Sequence, residues 1–272
     1  MSVEVVPFFH AGSNTFSYLV VDPASSKAAV IDPALDYDPE TDTLASTSAQ
    51  ALLEHVQQHG LQVEWLLETH AHADHVSASR WLRRHWPQAR VAIGQGITQV
   101  QAMLAPRYDM PEGFRADGSQ FDHLFADNET FQIGTLAARV IAVPGHTSDS
   151  VAYLVGDALF PGDSMFMPDG GTARCDFPGG DAAQLYRSIQ RLLALPDETR
   201  VFVCHDYGPG GRAVAYETTI GEQRRNNIHL RDDVDEASFV ATRQARDATL
   251  PAPRLMGPSI RANLQGGPVD LG

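Results

Sequence analysis

The chain is short of cysteine, of positive charge and of long apolar runs, and each shortage removes a class of protein. Only two cysteines, Cys175 and Cys204, occur in 272 residues. In a chain read as cytoplasmic both stay reduced, so a disulfide between them is disfavoured. No apolar stretch reaches the roughly 18 residues that would call for a membrane-spanning helix. The first residues, Met1-Ser2-Val3-Glu4, carry neither the basic nor the apolar region of a secretory leader. Lys and Arg number 20 against 34 Asp and Glu, a formal net charge of −14. That balance argues against binding a nucleic-acid backbone, which needs clustered Lys and Arg. A small anionic substrate is still admissible where positive charge is gathered locally. There is no internal repeat and no long linker.

What is present is ordinary globular composition, 43% hydrophobic with 22 Gly and 17 Pro. The length suits one domain over residues 1–272, with 206–272 as a helical and extended C-terminal portion. Strand-like runs fall at 15–21, 28–31, 63–68, 91–93, 123–125, 131–133, 137–142, 151–155, 158–160 and 201–204. Helical patterns cover 48–58, stopped by Gly60, 76–86, stopped by Pro87, and 182–195, stopped by Pro196. Two more lie at 216–226 and 236–248. Helices alternating with strands, and strand pairs joined by links as short as Gly156-Asp157, predict a mixed α/β layered architecture. Residues 251–272, rich in Pro, Gly and Asn, are expected to wrap the surface without regular structure or to contribute to an interface.

The most informative segment is Glu68-Thr69-His70-Ala71-His72-Ala73-Asp74-His75, which follows the apolar run Val63, Trp65, Leu66, Leu67. A strand carries His70 and His72 on one side, and a turn with a helix starting near His75 would bring Asp74 and His75 back to the same point. Imidazoles with carboxylates suit zinc, iron or manganese without any thiolate. Further candidates recur where apolar runs end: His146 in Pro144-Gly145-His146, Asp163 in Gly162-Asp163-Ser164, and His205 in Cys204-His205-Asp206. Rigid strands giving way to loops are the usual carriers of functional groups. A solvated polar loop, or a satisfied structural histidine, explains one of these places; it does not explain four. The other histidines, His10, His55, His59, His85, His123 and His229, read as ordinary surface or satisfied residues.

The pattern HxHxDH, then Gly-His, Gly-Asp and Cys-His resembles the metallo-β-lactamase superfamily, from about Phe8 to His205. Within it the chain is most similar to the persulfide dioxygenases, relatives of glyoxalase II, and nearest to their bacterial β-lactamase-like-hydrolase branch. The likeness lies in His70 to Val76, Val143 to Thr147, Asp163-Ser164-Met165-Phe166, Thr172 to Phe177, His205-Asp206-Tyr207 and Glu222 to Asn227.

The resemblance implies an αββα four-layer sandwich with the metal at one edge between two sheets. It also implies one Fe(II) per chain, held by His70, His146 and Asp163, with His72, Asp74, His75 and His205 around it as catalytic supports. The implied reaction oxidises glutathione persulfide with O2 to sulfite and glutathione. Arg174, Tyr207, Arg212 and Arg224 are the candidates for holding the substrate, because arginine forks match carboxylates. The expected partners are this substrate, O2 and, for a homodimer, a second copy of the chain, with no nucleic acid and no membrane. Every residue of a two-metal site is also present, with His70, His72 and His146 for one ion, Asp74, His75 and His205 for the other, and Asp163 bridging. A glyoxalase II-like zinc thiolesterase is therefore the alternative, and a non-catalytic metal-binding module the more distant one. Cys175 and Cys204 are read as inert and as core.

Overall fold

The computed structural model of the protein describes residues 3–271. Its first half runs through β1 (Glu4–His10), β2 (Thr15–Asp22), β3 (Lys27–Ile31), β4 (Ala34–Asp38), β5 (Thr43–Ala45), α1 (Thr47–Gln58) and β6 (Gln62–Leu67). β7 (Val76–Ser77), α2 (Ser79–Arg83), β8 (Arg90–Gly94), α3 (Ile97–Leu104) and β9 (His123–Phe125) follow. The second half continues with β10 (Thr130–Ile133), β11 (Leu136–Ala142), β12 (Val151–Val155), β13 (Ala158–Phe160), α4 (Ala182–Leu193) and β14 (Arg200–Phe202). β15 (Glu217–Thr219), α5 (Ile220–Asn226), α6 (Glu236–Asp247) and α7 (Met256–Asn263) complete it. Two six-stranded sheets result, ordered β1-β2-β3-β6-β8-β9 and β10-β11-β12-β13-β14-β15.

Strand alternation sorts the apolar side chains onto two faces. In β2, Phe16, Tyr18 and Val20 enter the core between the sheets, while Leu19 and Val21 face the outer helices. A bulge in the β3–β6 pairing, where Ala28 and Ala29 face Val63 and Trp65, skips Glu64 and keeps Trp65 and Leu67 in the inner core. Leu52 and Val56 of α1, Ile97 and Val100 of α3 and Ile260 of α7 cover the first sheet. Leu185, Ile189 and Leu192 of α4, Ile220 of α5 and Phe239 of α6 cover the second. The layers are helix, sheet, sheet, helix, as expected. Among the described residues no helix is long and apolar enough to cross a membrane.

Three local expectations are corrected. Residues 76–86 are not one helix: Val76–Ser77 pairs with β4, and only Ser79–Arg83 is helical. The hydroxyls of Ser77 and Ser79 both donate to buried Glu68, which pulls this turn out of helical geometry. Residues 217–219 form a strand on β14, and the helix begins only at Ile220, where the Thr219 hydroxyl accepts the Glu222 N–H. The C-terminal tail contains α7, whose Ile260 is buried, as is Leu264 just beyond it, despite the Pro- and Gly-rich composition around them.

Candidate metal centre

Four strand ends aim at one point. Beyond β6, the Thr69 N–H and hydroxyl both donate to Asp32, at 2.7 and 2.8 Å, and the Ala71 N–H donates to Asp149 at 2.9 Å. Asn263 of α7 donates to the carbonyls of His72 and His75, both at 2.8 Å. The histidine loop is thus fastened by side chains from three distant parts of the chain. Beyond β11, Gly145 (φ +143°) lets the backbone lie against α4, where a Cβ would stand 2.3 Å from Leu185 Cα. β13 and β14, paired in parallel, deliver Asp163 and His205 side by side.

One ligand atom each from His70, His146 and Asp163 lies within 4.8 Å of the others, and all three residues are buried. His146 Nε2 is 3.6 Å and His70 Nε2 4.0 Å from Asp163 Oδ2. His72, Asp74 and His75 form a second such group, and Asp163, Cys204 and His205 a third. His205 Nε2 stands 3.3 Å from Asp163 Oδ1 and 3.4 Å from Asp74 Oδ2. All seven sequence-derived candidates are therefore brought together. His70 Nε2, His72 Nδ1, His75 Nε2 and Asp163 Oδ1 are buried without a hydrogen-bond partner. Orphaned buried polar atoms are costly, and these converge at spacings that metal bonds of about 2.0–2.2 Å would satisfy.

The electrostatics agree with a ligand set. Burial, then the neighbouring His72, lowers the His70 pKa well below the ordinary histidine value, which keeps it neutral and able to coordinate. Burial alone would raise Asp163, but His205, His70 and His146 outweigh it and hold the carboxyl ionised. The same balance runs in reverse at His205, where Asp163 and Asp74 overcome burial and raise the pKa. His146 Nδ1–H donates to the Arg174 carbonyl at 2.7 Å, which fixes the tautomer and leaves Nε2 free for a metal.

Asp32 and Glu68 are the functional neighbours that sequence reasoning missed. With His72 they form a fourth buried group, His72 Nε2 lying 3.0 Å from Asp32 Oδ1 and 3.7 Å from Glu68 Oε2. Burial and the Asp32 charge push the Glu68 carboxyl up to about 8, so it is a neutral acid accepting from two serines. Each stands where an apolar run ends, Ile31-Asp32 and Leu67-Glu68, and that was the available signal. Cys204 and Cys175 are buried free thiols; burial raises the first well above its ordinary pKa and the second to about 12, so neither is a thiolate.

The centre opens into a cavity of ≈ 540 Å³. Tyr207 lines it, its ring stacked on His205 with centroids 5.9 Å apart. Arg174 lines it too, but its guanidinium is bidentate to Asp176 and donates to the Pro251 carbonyl at 2.6 Å. The other two arginine candidates, Arg212 and Arg224, lie away from it. Arg212 is fastened to Asp169 and Asp206, Arg224 pairs with Asp197, and neither borders the cavity. Buried Asp206 explains the placement of Arg212, since a carboxylate there needs a cation. Instead the C-terminal segment supplies the far wall, with Arg246, Arg254 and the stretch Leu250 to Leu255.

The four-layer sandwich and the histidine-aspartate centre between its sheets define a metal-dependent enzyme class. The chain belongs to the metallo-beta-lactamase superfamily, whose sequence description matches residues 11–205. It is 48% identical over 97% of its length to a "Beta-lactamase hydrolase-like protein" of Xylella fastidiosa, of which it spans 61%. It is 29% identical to the human mitochondrial "Persulfide dioxygenase ETHE1", covering 95% of this chain and 87% of that one. Among solved structures it is similar to ETHE1 from Myxococcus xanthus, with a TM-score of 0.75, 30% identity, and coverage of 97% and 99%. Hydrolases and a dioxygenase thus both stand among its relatives.

Proposed function

We propose that the protein is a mononuclear non-haem iron persulfide dioxygenase. It would convert glutathione persulfide, O2 and water to glutathione and sulfite, with release of two protons. The observation that carries this reading is the convergence of His70, His146 and Asp163, two imidazoles and one carboxylate, with His146 and Asp163 bordering the cavity. Such a triad binds a metal from one side and leaves positions for substrate and O2. Iron would supply the redox step that zinc lacks. The human and Myxococcus relatives named above support the choice.

The protein's own part is orientation and proton handling. The Arg174 carbonyl keeps His146 Nε2 aimed inward, and the Thr69 hydroxyl, 3.1 Å from His70 Nδ1, links His70 to Asp32. Asp74 and His205, unused by the triad, share the Thr15 hydroxyl at 3.3 and 3.2 Å. In this reading they would take up released protons and return one to the departing glutathione sulfur. Phe166, Phe177 and Tyr207 wall the cavity and exclude water once it is filled.

The second donor group, His72, Asp74 and His75, supports a competing reading, a two-metal hydrolase of glutathione thioesters. Metal analysis of protein made under iron-replete conditions, with oxygen uptake on glutathione persulfide, separates the two. About one iron per chain with oxygen uptake is expected. Two tightly held zinc ions with thioester turnover and no oxygen uptake would overturn the proposal.

A further inference from the structure

We propose that Arg246 and Arg254, both on the C-terminal segment, form the anion clamp that makes the cavity select substrates with two carboxylates. The inference rests on the glutathione-based substrate named above and holds for either metal reading.

A chain of net charge −14 repels a ligand that carries two carboxylates, so productive binding needs uncommitted cations at the cavity. Most arginines near the centre are committed. Arg174 is held by Asp176, Arg212 by Asp169 and Asp206, and Arg243 by Asp247. Arg246 and Arg254 border the cavity, and among the described residues neither has a carboxylate within 4.0 Å. A second observation marks the same wall. Arg243 also borders the cavity, is 1% exposed, and keeps its Nε–H buried without a partner. Arg243 and Arg246 are three residues apart on α6 and share a face.

The way Arg254 is presented adds to the case. It ends the stretch Leu250-Pro251-Ala252-Pro253-Arg254, whose two prolines restrict the backbone before any ligand arrives. Arg174 fastens that stretch by donating to the carbonyls of Pro251 at 2.6 Å and Leu250 at 3.4 Å. Arg174 is therefore the anchor of the wall, and Arg254 is its free cation. Chemistry comes from the sheet ends and recognition from the tail.

The test is binding of S-hexylglutathione, a thioether that cannot react, to the metal-loaded protein, compared with its dimethyl ester. Arg246→Ala and Arg254→Ala should each weaken the diacid roughly tenfold, and the double variant more, while binding of the diester stays as weak as in the parent. Metal content should not change, and oxygen uptake with 2-hydroxyethyl persulfide, which has no carboxylate, should fall less than uptake with glutathione persulfide. Unaltered diacid binding in the double variant, equal binding of diacid and diester by the parent, or loss of metal in the variants would overturn the clamp. Arginine-dependent binding without oxygen uptake on either persulfide would instead overturn the dioxygenase reading and leave the clamp standing.

Discussion

His229 makes the cavity wall sensitive to acid, and the size of the effect follows from its surroundings. The ring is 6% exposed, and its Nδ1 accepts the Thr172 N–H at 3.0 Å, behind the loop that carries Arg174. Burial, then the charges of Arg243 and Arg246, lowers its pKa from 6.5 to about 4. Because the folded value lies below the unfolded one, the unfolded chain binds the extra proton. The contribution is complete above about pH 6.5 and is lost as pH falls toward 4. The whole gap corresponds to about 3 kcal/mol, of which about 2 kcal/mol is gone by pH 5. For a domain of this size that is a drop in Tm of about 4–8 °C. Denaturation of parent and His229→Gln should be followed from pH 7.5 to 5. The amide oxygen can accept the Thr172 N–H without titrating, so the parent should lose about 2 kcal/mol more than the variant. Other buried histidines titrate in both proteins and cancel in the difference. Parallel stability curves would show that His229 is not held neutral, and the reasoning would fail.

Two further outcomes are expected. Asp163→Ala should abolish metal binding and oxygen uptake together, while His205→Ala retains most of the metal; equal metal loss in both would favour the two-metal reading. Arg212→Ala strands buried Asp206 and should cost roughly 1.5–3 kcal/mol in denaturation, with the KM for glutathione persulfide unchanged, and a raised KM would return Arg212 to the substrate site.

The metal centre was legible because each of its residues ends an apolar run. Val63 to Leu67, Ala137 to Val143, Ala158 to Phe160 and Val201 to Val203 announce buried strands, and a polar residue just past one has few places to go. Substrate contacts were not legible. Whether an arginine is free depends on which carboxylates the fold sets beside it, and Arg212 and Arg246 look alike until Asp169 and Asp206 take the first. Asp32 and Glu68 escaped for a related reason, since two acids 36 residues apart give no local hint that they meet behind His72. In the tail, Gly257 and Pro258 masked a helix whose stability comes from burying Ile260 and Leu264 on the first sheet.

Asn263 ties α7 to the histidine loop across 188 to 191 positions, accepting from the Ser77 N–H while it donates to His72 and His75. A nascent polypeptide that has already emerged as far as His205 owns every proposed ligand yet lacks the residue that shapes the loop. Metal capture would then be deferred until α7 has been made, and products terminated before it would be left without a formed centre. The contact between α7 and the histidine loop acts, in this sense, as a checkpoint on completion of the fold.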